Sequence, residues 1–223
     1  MKVVAIVPMK MNNERLPGKN IKKFYDGTPL CDLVFNTISS LKNIDEAYCF
    51  CSDESIREFL PERINYLKRS KDLDTQSATM NDVIKSFISK VDSEIYVLTH
   101  VTSPFIKTST ISACIDAVRS GRHDSALSVE ALHDFLWLDG KPLNYDPEKI
   151  ARTQDLPTIF RESSGVYVFT KELFEKHSRR VGFTPYLHEV GFVEGIDIDY
   201  SEDFDVSNAI YRDIMQKHHF DCR

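Results

Sequence analysis

A short basic loop near the start of the chain carries the residues best suited to chemistry. Lys10, Arg15 and Lys19 place three cations within ten residues, directly after an apolar, β-branched run over residues 3–7. A buried strand that leads into a basic loop is a common way for α/β folds to present phosphate-binding groups at the carboxyl edge of a sheet. Three cations suit a polyphosphate, whose charge must be neutralised before a nucleophile attacks it. The sequence therefore predicts a nucleotide phosphate site, with a solvated basic loop as the alternative.

A pair of carboxylates near the other end of the chain suits a metal ion. Residues 195–199 read Gly-Ile-Asp-Ile-Asp, and this alternation predicts a strand that projects Asp197 and Asp199 to one side, about 7 Å apart at Cα. Two hard oxygen ligands at that spacing can share one Mg²⁺, which in turn holds phosphate oxygens. An isolated acidic pair of this kind is more often a strand end exposed to water than a metal site. Together with the basic loop, the pair predicts a magnesium site.

The elements that must position these groups alternate along the chain. Strands are predicted at residues 3–7 (ended by Pro8), 47–51, 64–67, 95–98, 125–129 and 165–169. Helices are predicted up to residue 60 after an N-cap signal at 52–55, over 80–91, from about 108, and over 204–215. This alternation predicts an α/β fold of three layers, Rossmann-like, with a mainly parallel sheet and ligand loops at the strand carboxyl ends. No linker or repeat divides the sequence, so one domain over residues 1–223 is expected.

Residues 132–160 depart from this alternation. Asp139-Gly140 predicts a hairpin turn after the apolar residues Phe135, Leu136 and Trp137, and a loop punctuated by Pro and Asp follows. An excursion of this kind from an α/β core is expected to serve as a lid or a dimer contact. The segment is therefore interpreted as a dimerisation or lid arm.

Composition excludes several classes of protein. Apolar residues make up 42% of the chain and charged residues 28%, which argues against a disordered or membrane protein. The net charge is −6 and the basic residues are scattered outside the first loop, so no nucleic-acid partner is expected. The first residues lack the layout of a signal peptide, and the five cysteines show no zinc or disulfide spacing. We therefore expect a cytoplasmic protein with reduced thiols.

Four short blocks carry a family resemblance. In chain order they are Val7-Pro8 with Lys10 and then Leu16-Pro17-Gly18-Lys19-Asn20-Ile21; Thr102-Ser103-Pro104-Phe105; Arg152-Thr153-Gln154-Asp155-Leu156-Pro157 running on to Phe160-Arg161; and residues 195–199 with Asp203-Phe204. The blocks and their order resemble those of the acylneuraminate cytidylyltransferases, the CMP-sugar synthetases that activate sialic acids and related keto-acid sugars. They extend over nearly the whole chain.

The resemblance implies a nucleotidyltransferase fold and a specific reaction. The implied enzyme transfers CMP from CTP to the hydroxyl of a sialic-acid-like keto-acid sugar, releases pyrophosphate, and binds Mg²⁺ at Asp197 and Asp199. The implied nucleotide-binding residues are Pro8, Lys10, Asn12, Asn13, Arg15, Lys19, Asn20, Thr102 and Ser103. The implied substrate-binding residues are His100, Arg152, Arg161 and Ser164, and the implied catalytic residues are Lys19, Asp199, Arg152 and Arg161. A homodimer, in which the arm covers the partner's cleft, is implied as well.

The sequence departs from the family pattern in three places. Lys10-Met11-Asn12-Asn13 stands where the family has Arg-Gly-Gly-Ser or Arg-Gln-Asn-Ser, His100 where sialic-acid enzymes have Gln, and Ser163-Ser164-Gly165 where they have Asn-Gly. The last two changes lie on the sugar side, so the acceptor stays open between a nonulosonic acid, a different keto-sugar and a polyol phosphate. Two other classes also stay open. One is a nucleotide-sugar glycosyltransferase, which also uses an Asp-x-Asp pair, and the other is a non-catalytic nucleotide-binding regulator.

Overall fold

A seven-stranded sheet forms the centre of the structure, a computed structural model that describes the backbone of residues 1–220 and the side chains of residues 1–215. The strands in chain order are β1 (Val3–Met9), β2 (Glu46–Cys51), β3 (Asn65–Lys68), β4 (Ile95–Thr99), β5 (Ser125–Leu132), β6 (Trp137–Leu138), β7 (Lys141–Pro142), β8 (Ile159–Thr170) and β9 (Pro185–Glu189). The large sheet has the order β3-β2-β1-β4-β8-β5-β9. Among these seven strands β8 alone runs antiparallel to its neighbours. The predicted mainly parallel sheet is confirmed.

Helices cover both faces of this sheet. They are α1 (Leu30–Ser39), α2 (Met80–Ile88), α3 (Thr108–Arg119), α4 (Lys171–His177) and α5 (Ser201–Phe220). Apolar side chains of α1 and α3 pack on one face, and those of α2 and α4 pack on the other, which gives the predicted three layers. A capping box fixes the start of α2, because Thr79 accepts a hydrogen bond from the Asp82 amide and the Asp82 carboxylate accepts one from the Thr79 amide. The sequence patterns did not predict α1, α4 or β9.

The first strand extends further than predicted. Residues 3–7 were expected to end at Pro8, but β1 continues through Pro8 to Met9, which pair with Phe50 and Cys51 of β2. Pairing of β1 with β4 ends at Ile6, so Pro8 has a strand neighbour on one side alone. Proline lacks an amide hydrogen and is tolerated in a strand where one side is unpaired. The basic loop therefore leaves the sheet from the carboxyl end of a buried central strand.

The acidic segment at residues 195–199 is not a strand, contrary to the sequence prediction. Ile198 donates from its amide to the Thr102 carbonyl at 2.8 Å, but no ladder of strand hydrogen bonds accompanies this contact in the described residues. The Ile198 side chain is fully buried beside Leu16 and Phe204. The alternation of Ile and Asp therefore reflects one buried anchor in an irregular loop that leads into α5.

The arm extends from two paired strands of the sheet. Leu132 at the end of β5 lies opposite Ile159 at the start of β8, and the chain between them forms the β6–β7 hairpin and a following loop. Asp139 (φ 49°) and Gly140 (φ 75°) both adopt positive φ, as a type I′ hairpin turn requires. The predicted hairpin is confirmed.

Two further findings concern the predicted compartment. Cys31, Cys49, Cys51 and Cys114 are free and buried, whereas Cys222 lies outside the described residues. No helix in the described part of the chain has both the length and the apolar character needed to cross a membrane. The cytoplasmic location stays a prediction.

Candidate active site

The basic loop is closed on itself by a buried amide. Asn20 is buried and donates from Nδ2 to the Lys10 carbonyl oxygen at 2.8 Å, which joins the two ends of the loop. Gly18 adopts a φ of +67° immediately before the 3-10 turn Lys19–Ile21, a conformation that a residue with a side chain rarely takes. These two residues turn the Lys19 side chain inward, where it is 10% exposed.

Lys19 and Arg15 reach the acidic segment from the opposite end of the chain. Lys19 Nζ donates to the Ile198 carbonyl oxygen at 2.6 Å and lies 3.4 Å from Asp199 Oδ1. Arg15 Nη1 donates to Asp199 Oδ2 at 2.7 Å. Residues separated by about 180 positions in the sequence therefore form one charged site.

Asp197 experiences an excess of negative charge. Although it is exposed to the cleft, the surrounding protein removes part of its water and raises its pKa, and the nearby carboxylates of Asp199 and Asp203 raise it further. A hydrogen bond with the Thr102 side chain and the charge of Lys19 act in the opposite direction. Such a site favours binding of a compensating cation.

The donor set fits Mg²⁺ if nucleotide oxygens complete it. Two carboxylates, Asp197 and Asp199, provide the hard oxygen ligands that Mg²⁺ prefers, and this ion usually takes one or two carboxylates together with phosphate oxygens and water. No group of three or more His, Cys, Asp or Glu side chains within residues 1–215 is arranged to hold a metal by itself. Asp203 has a different task, because its Oδ2 accepts from the amides of Asp199 and Tyr200 at the start of α5.

Two cavities meet at Asp199. The first, about 470 Å³, is lined by Lys10, Asn13, Glu14, Arg15, Leu16, Lys19, Gln76 and Asp199. The second, about 590 Å³, is lined chiefly by the start of β8, the acidic segment and the start of α5. We call them the basic cavity and the acceptor cavity. The acceptor cavity is lined by Asp197, Arg161, Glu162 and Ser164, among others. Asp199 therefore lies between a cavity lined by cations and a cavity with acidic side chains.

A third cavity adjoins the basic cavity at the carboxyl ends of β2 and β3. Its lining residues are Met11, Asn12, Glu14, Ser52, Asp53, Lys71, Asp74, Thr75 and Gln76. Glu14 and Gln76 also line the basic cavity. Beneath the third cavity, buried Arg69 pairs with Asp74, which also accepts from the Ser52 hydroxyl. Sequence reasoning missed Arg69, although its position directly after a strand is the signal that marks such an edge.

Two predicted arginines have different surroundings. Arg161 lines the acceptor cavity, and its Nη2 lies 2.9 Å from both carboxylate oxygens of buried Glu130. Glu130 packs so closely against Gly195 that a Cβ there would collide with its carboxylate, so this ion pair supports the acidic segment. Arg152 is 72% exposed, pairs with Asp155 in the arm, and lines none of the cavities described above. The structure therefore brings Arg161 to the site but not Arg152.

The remaining predicted residues lie at the edges of the site. The Thr102 carbonyl oxygen accepts a hydrogen bond from the Ile198 amide. Ser103 is buried, and its hydroxyl has no hydrogen-bond partner in the described residues. Asn13 contributes to the basic cavity and also has a buried side-chain oxygen without a partner there. Ser164 lines the acceptor cavity with a φ of 60°. This conformation is strained for a non-glycine residue, and such strain is frequent at functional sites.

His100 directly follows the carboxyl end of β4 and lies near Arg180 and Lys19. Burial is the main cause that lowers its pKa to about 4, and the nearby charges of Arg180 and Lys19 lower it further. Sequence reasoning missed Arg180, because nothing in the local pattern of residues 178–184 separates it from a surface arginine. His100 is therefore neutral at physiological pH and can offer one donor and one acceptor.

We expect His100 to remain neutral from pH 7.5 down to about pH 5. Its pKa in the folded chain lies below the free value of 6.5, so the unfolded chain takes up the proton first. The protonation of His100 therefore does not change the stability above about pH 6.5. Below that pH the unfolded chain binds the proton more tightly, so the free energy of unfolding falls as the pH drops towards 4. The test is ¹⁵N-edited NMR of the histidine rings, with His100→Gln to assign the signal. An inflection of the assigned signal between pH 6 and 7 would contradict this expectation.

Known proteins resemble this chain in sequence and in fold. A family model described as cytidylyltransferase matches residues 4–221. Two N-acylneuraminate cytidylyltransferases of Streptococcus agalactiae, from serotypes III and V, are 27% and 26% identical to this chain over 218 residues. These matches cover 92% of this chain and 52% of each relative, so the chain spans about half the length of these curated relatives.

Solved structures share the fold at low sequence identity. A CMP:2-keto-3-deoxy-manno-octonic acid synthetase complexed with CTP matches with a TM-score of 0.73 and 14% identity, covering 96% of this chain and 99% of that chain. A 4-diphosphocytidyl-2C-methyl-D-erythritol synthase from Anaerococcus prevotii matches with a TM-score of 0.68 and 16% identity, covering 95% and 96%. The predicted nucleotidyltransferase fold is confirmed. Because the family model covers nearly the whole sequence, the chain belongs to the cytidylyltransferase family.

Proposed function

We propose that this protein transfers CMP from CTP to a hydroxyl group of a small acidic sugar, a sialic-acid-like keto acid, and releases pyrophosphate. The observation that carries the proposal is the junction of the basic and acceptor cavities at Asp199. The basic cavity offers cations for a triphosphate, and the acceptor cavity offers room for a sugar. The attacking hydroxyl and the α-phosphorus would meet where the two cavities join, at Asp199.

The chain's own residues would act mainly by position and charge. Lys10, Arg15 and Lys19 line the basic cavity and would neutralise the triphosphate as negative charge moves to the leaving pyrophosphate. Asp197 and Asp199 would hold Mg²⁺, which supplies a positive charge at the phosphate oxygens. The hydroxyl oxygen would form a bond to the α-phosphorus as the bond from the α-phosphorus to the bridging oxygen breaks, and Asp199 would take the hydroxyl proton. No covalent enzyme intermediate is needed.

The curated relatives favour a nonulosonic acid as the acceptor. The alternative acceptors differ from one another in their acidic group. The synthetases described above are named for an N-acylneuraminate, a 2-keto-3-deoxy sugar acid and a diphosphocytidyl methylerythritol. We therefore define an acceptor panel of N-acetylneuraminate, 2-keto-3-deoxy-manno-octonate and 2C-methyl-D-erythritol 4-phosphate. The first two carry a carboxylate and the third a phosphate.

The test is pyrophosphate release from CTP and Mg²⁺ with each member of the acceptor panel. We expect release that depends on one of the two sugar acids and on Mg²⁺. If only the polyol phosphate supports turnover, the acceptor is a polyol phosphate and not a sugar acid. Tight CTP binding without turnover on any acceptor would favour a regulator, and transfer of sugar from a preformed nucleotide sugar would favour a glycosyltransferase.

We further propose that the protein is a two-fold homodimer through its arm. Trp137, Leu138, Leu143 and Ile150 of the arm are each at least 50% exposed. The inner side of the hairpin is ordered, because Phe135 and Trp137 pack against Tyr145 with ring centroids 4.6 and 6.2 Å away. An ordered hairpin with an exposed apolar surface is typical of an interaction site, and a second copy of the chain is the occupant that the family resemblance implies.

Trp137→Asp should convert the dimer to a monomer at micromolar concentration and lower activity, because the arm would no longer reach the partner's cleft. Sedimentation velocity with a parallel pyrophosphate assay measures both effects. Phe183→Asp, which also removes an exposed aromatic ring but lies outside the arm, is the matched control and should stay dimeric. A wild-type monomer, or a fully active monomeric Trp137→Asp variant, would contradict the proposal.

A further inference from the structure

Within the described residues, Arg180 has no carboxylate at ion-pair distance. Its guanidinium carbon lies 3.7 Å from the centroid of the Tyr167 ring, and within residues 1–215 it makes no ion pair or hydrogen bond. The arginines that the sequence assigned to the cleft are each paired with a carboxylate: Arg15 with Asp199, Arg152 with Asp155, and Arg161 with Glu130. The N–H groups of Arg180 therefore have no protein partner in the described residues, so they can bind an anionic ligand without breaking an ion pair.

Tyr167 links Arg180 to two residues that line the acceptor cavity. The Tyr167 ring is buried, and its hydroxyl donates to Glu162 Oε2 at 2.6 Å and also bonds with the Ser164 side chain. Glu162 and Ser164 both line the acceptor cavity. A guanidinium stacked on an aromatic ring uses its face for that contact and keeps its N–H groups, which lie in the plane, free for bidentate binding.

His100 lies near both Arg180 and Lys19. Leu98 of β4 lies opposite Tyr167 of β8, and His100 follows two residues later on the same side of the chain. Lys19 and Arg180 both lie close enough to act on the charge of His100. Lys19 lines the basic cavity, whereas Arg180 packs on Tyr167, whose hydroxyl bonds with Glu162 and Ser164 of the acceptor cavity.

We propose that Arg180, stacked on Tyr167, binds the fixed negative charge of the acceptor and thereby selects acidic acceptors over neutral sugars. The inference rests on the proposed function and names a residue that determines its specificity. The ligand chemistry is an oxyanion that accepts two parallel hydrogen bonds, which is a carboxylate in a keto-acid sugar or a phosphate in a polyol phosphate. Arg161 is not assigned this task because it pairs with buried Glu130, which supports the acidic segment, and Arg152 is not because it lines none of the described cavities.

The neighbouring arginine provides a matched control. Arg179 lies in the same loop and carries the same charge, but its guanidinium lies 4.8 Å from the Phe183 ring centroid and its side chain donates to the carbonyls of Val181 and Gly182. Arg179→Met therefore removes one positive charge from this loop without removing the cation next to Tyr167. Arg180→Lys keeps the charge at residue 180 and removes the planar fork.

The test compares Arg180→Met, Arg180→Lys and Arg179→Met in steady-state kinetics with the acceptor panel. We expect Arg180→Met to raise the KM for the acceptor by about 10- to 100-fold, as the loss of a charge-assisted hydrogen bond implies, while the KM for CTP and kcat change little. Arg180→Lys should recover part of the affinity, and Arg179→Met should resemble the wild type. If only the carboxylate acceptors lose affinity, the bound group is a carboxylate; if only the phosphate acceptor does, it is a phosphate.

Three results would overturn the inference: an unchanged acceptor KM in Arg180→Met, an equal rise in Arg179→Met, or a rise in the KM for CTP instead. Calorimetric binding of the same acceptors to the wild type and to Arg180→Met, without CTP turnover, separates this inference from the proposed function. Absent turnover in the wild type refutes the proposed function, yet weaker acceptor binding by Arg180→Met would still support the role of Arg180. If the wild type binds no member of the panel, both are wrong.

Discussion

Asp197→Asn and Asp199→Asn should each reduce turnover by at least about 100-fold while leaving the fold intact. Each substitution removes a charged ligand from the proposed Mg²⁺ site, and preorganised charge at a reacting phosphate commonly contributes this much. Neither carboxylate belongs to the buried core, so the amide should fit without repacking. The variants are measured by pyrophosphate release at saturating CTP with Mg²⁺ titrated, alongside circular dichroism.

Asp205→Asn is the matched control, because Asp205 lies close by in α5 and is exposed. It removes the same charge from the same region and should keep near-normal turnover. Near-normal pyrophosphate release from either Asp197→Asn or Asp199→Asn at saturating Mg²⁺ would remove the pair from the metal site. An equal loss in Asp205→Asn would mean that the net charge of the region, and not the ligands, determines the rate.

CTP should be used at least about 100-fold better than UTP, and ATP and GTP should be poorer still. The cavity at the carboxyl ends of β2 and β3 is polar, and buried groups near it, including Arg69 Nε and the Asn13 side-chain oxygen, have no partner in the described residues. A site that pairs such groups with cytosine leaves them unpaired against uracil, and a site shaped for a pyrimidine excludes a purine ring.

The measurement is kcat/KM for the four nucleoside triphosphates with one fixed acceptor. Asn13→Ala removes one of these buried polar groups and should narrow the preference for CTP over UTP. Comparable turnover with CTP and UTP in the wild type would mean that the pocket does not recognise cytosine.

The sequence predicted most of the layers of the fold because they depend on local patterns. Buried strands such as β1 and β4 are short apolar runs, and α2 shows its buried face and its N-cap directly. The helix α1 was missed, and so was β9, an edge strand with half-exposed residues. For residues 195–199, by contrast, the sequence predicted a strand that the structure does not contain. Their alternation matches a strand, but Ile198 is buried in a cluster with α5 and not in the sheet.

The candidate site was predictable where a local motif marks it and unpredictable where tertiary contacts choose partners. Ligand loops gather at the carboxyl edge of a parallel sheet, and this rule predicted the place of the basic loop. The acidic segment is not a strand, so its contact with the loop through Lys19 and Asp199 emerges from the tertiary structure. Arg152 and Arg161 were given similar roles, yet Arg152 pairs within the arm and Arg161 pairs with Glu130. Arg180 emerges from the structure alone, because its stacking on Tyr167 depends on how the loop after α4 folds back on β8.

The most direct test of the account is ³¹P NMR of the reaction mixture with CTP, Mg²⁺ and the accepted sugar acid. The account predicts that the α-phosphorus signal of CTP disappears as one phosphodiester signal and the pyrophosphate signal appear in equal amounts. It also predicts that this conversion is lost in Asp199→Asn. Release of inorganic phosphate and CDP, or a product in which the cytidine retains two phosphates from CTP, would contradict transfer of CMP.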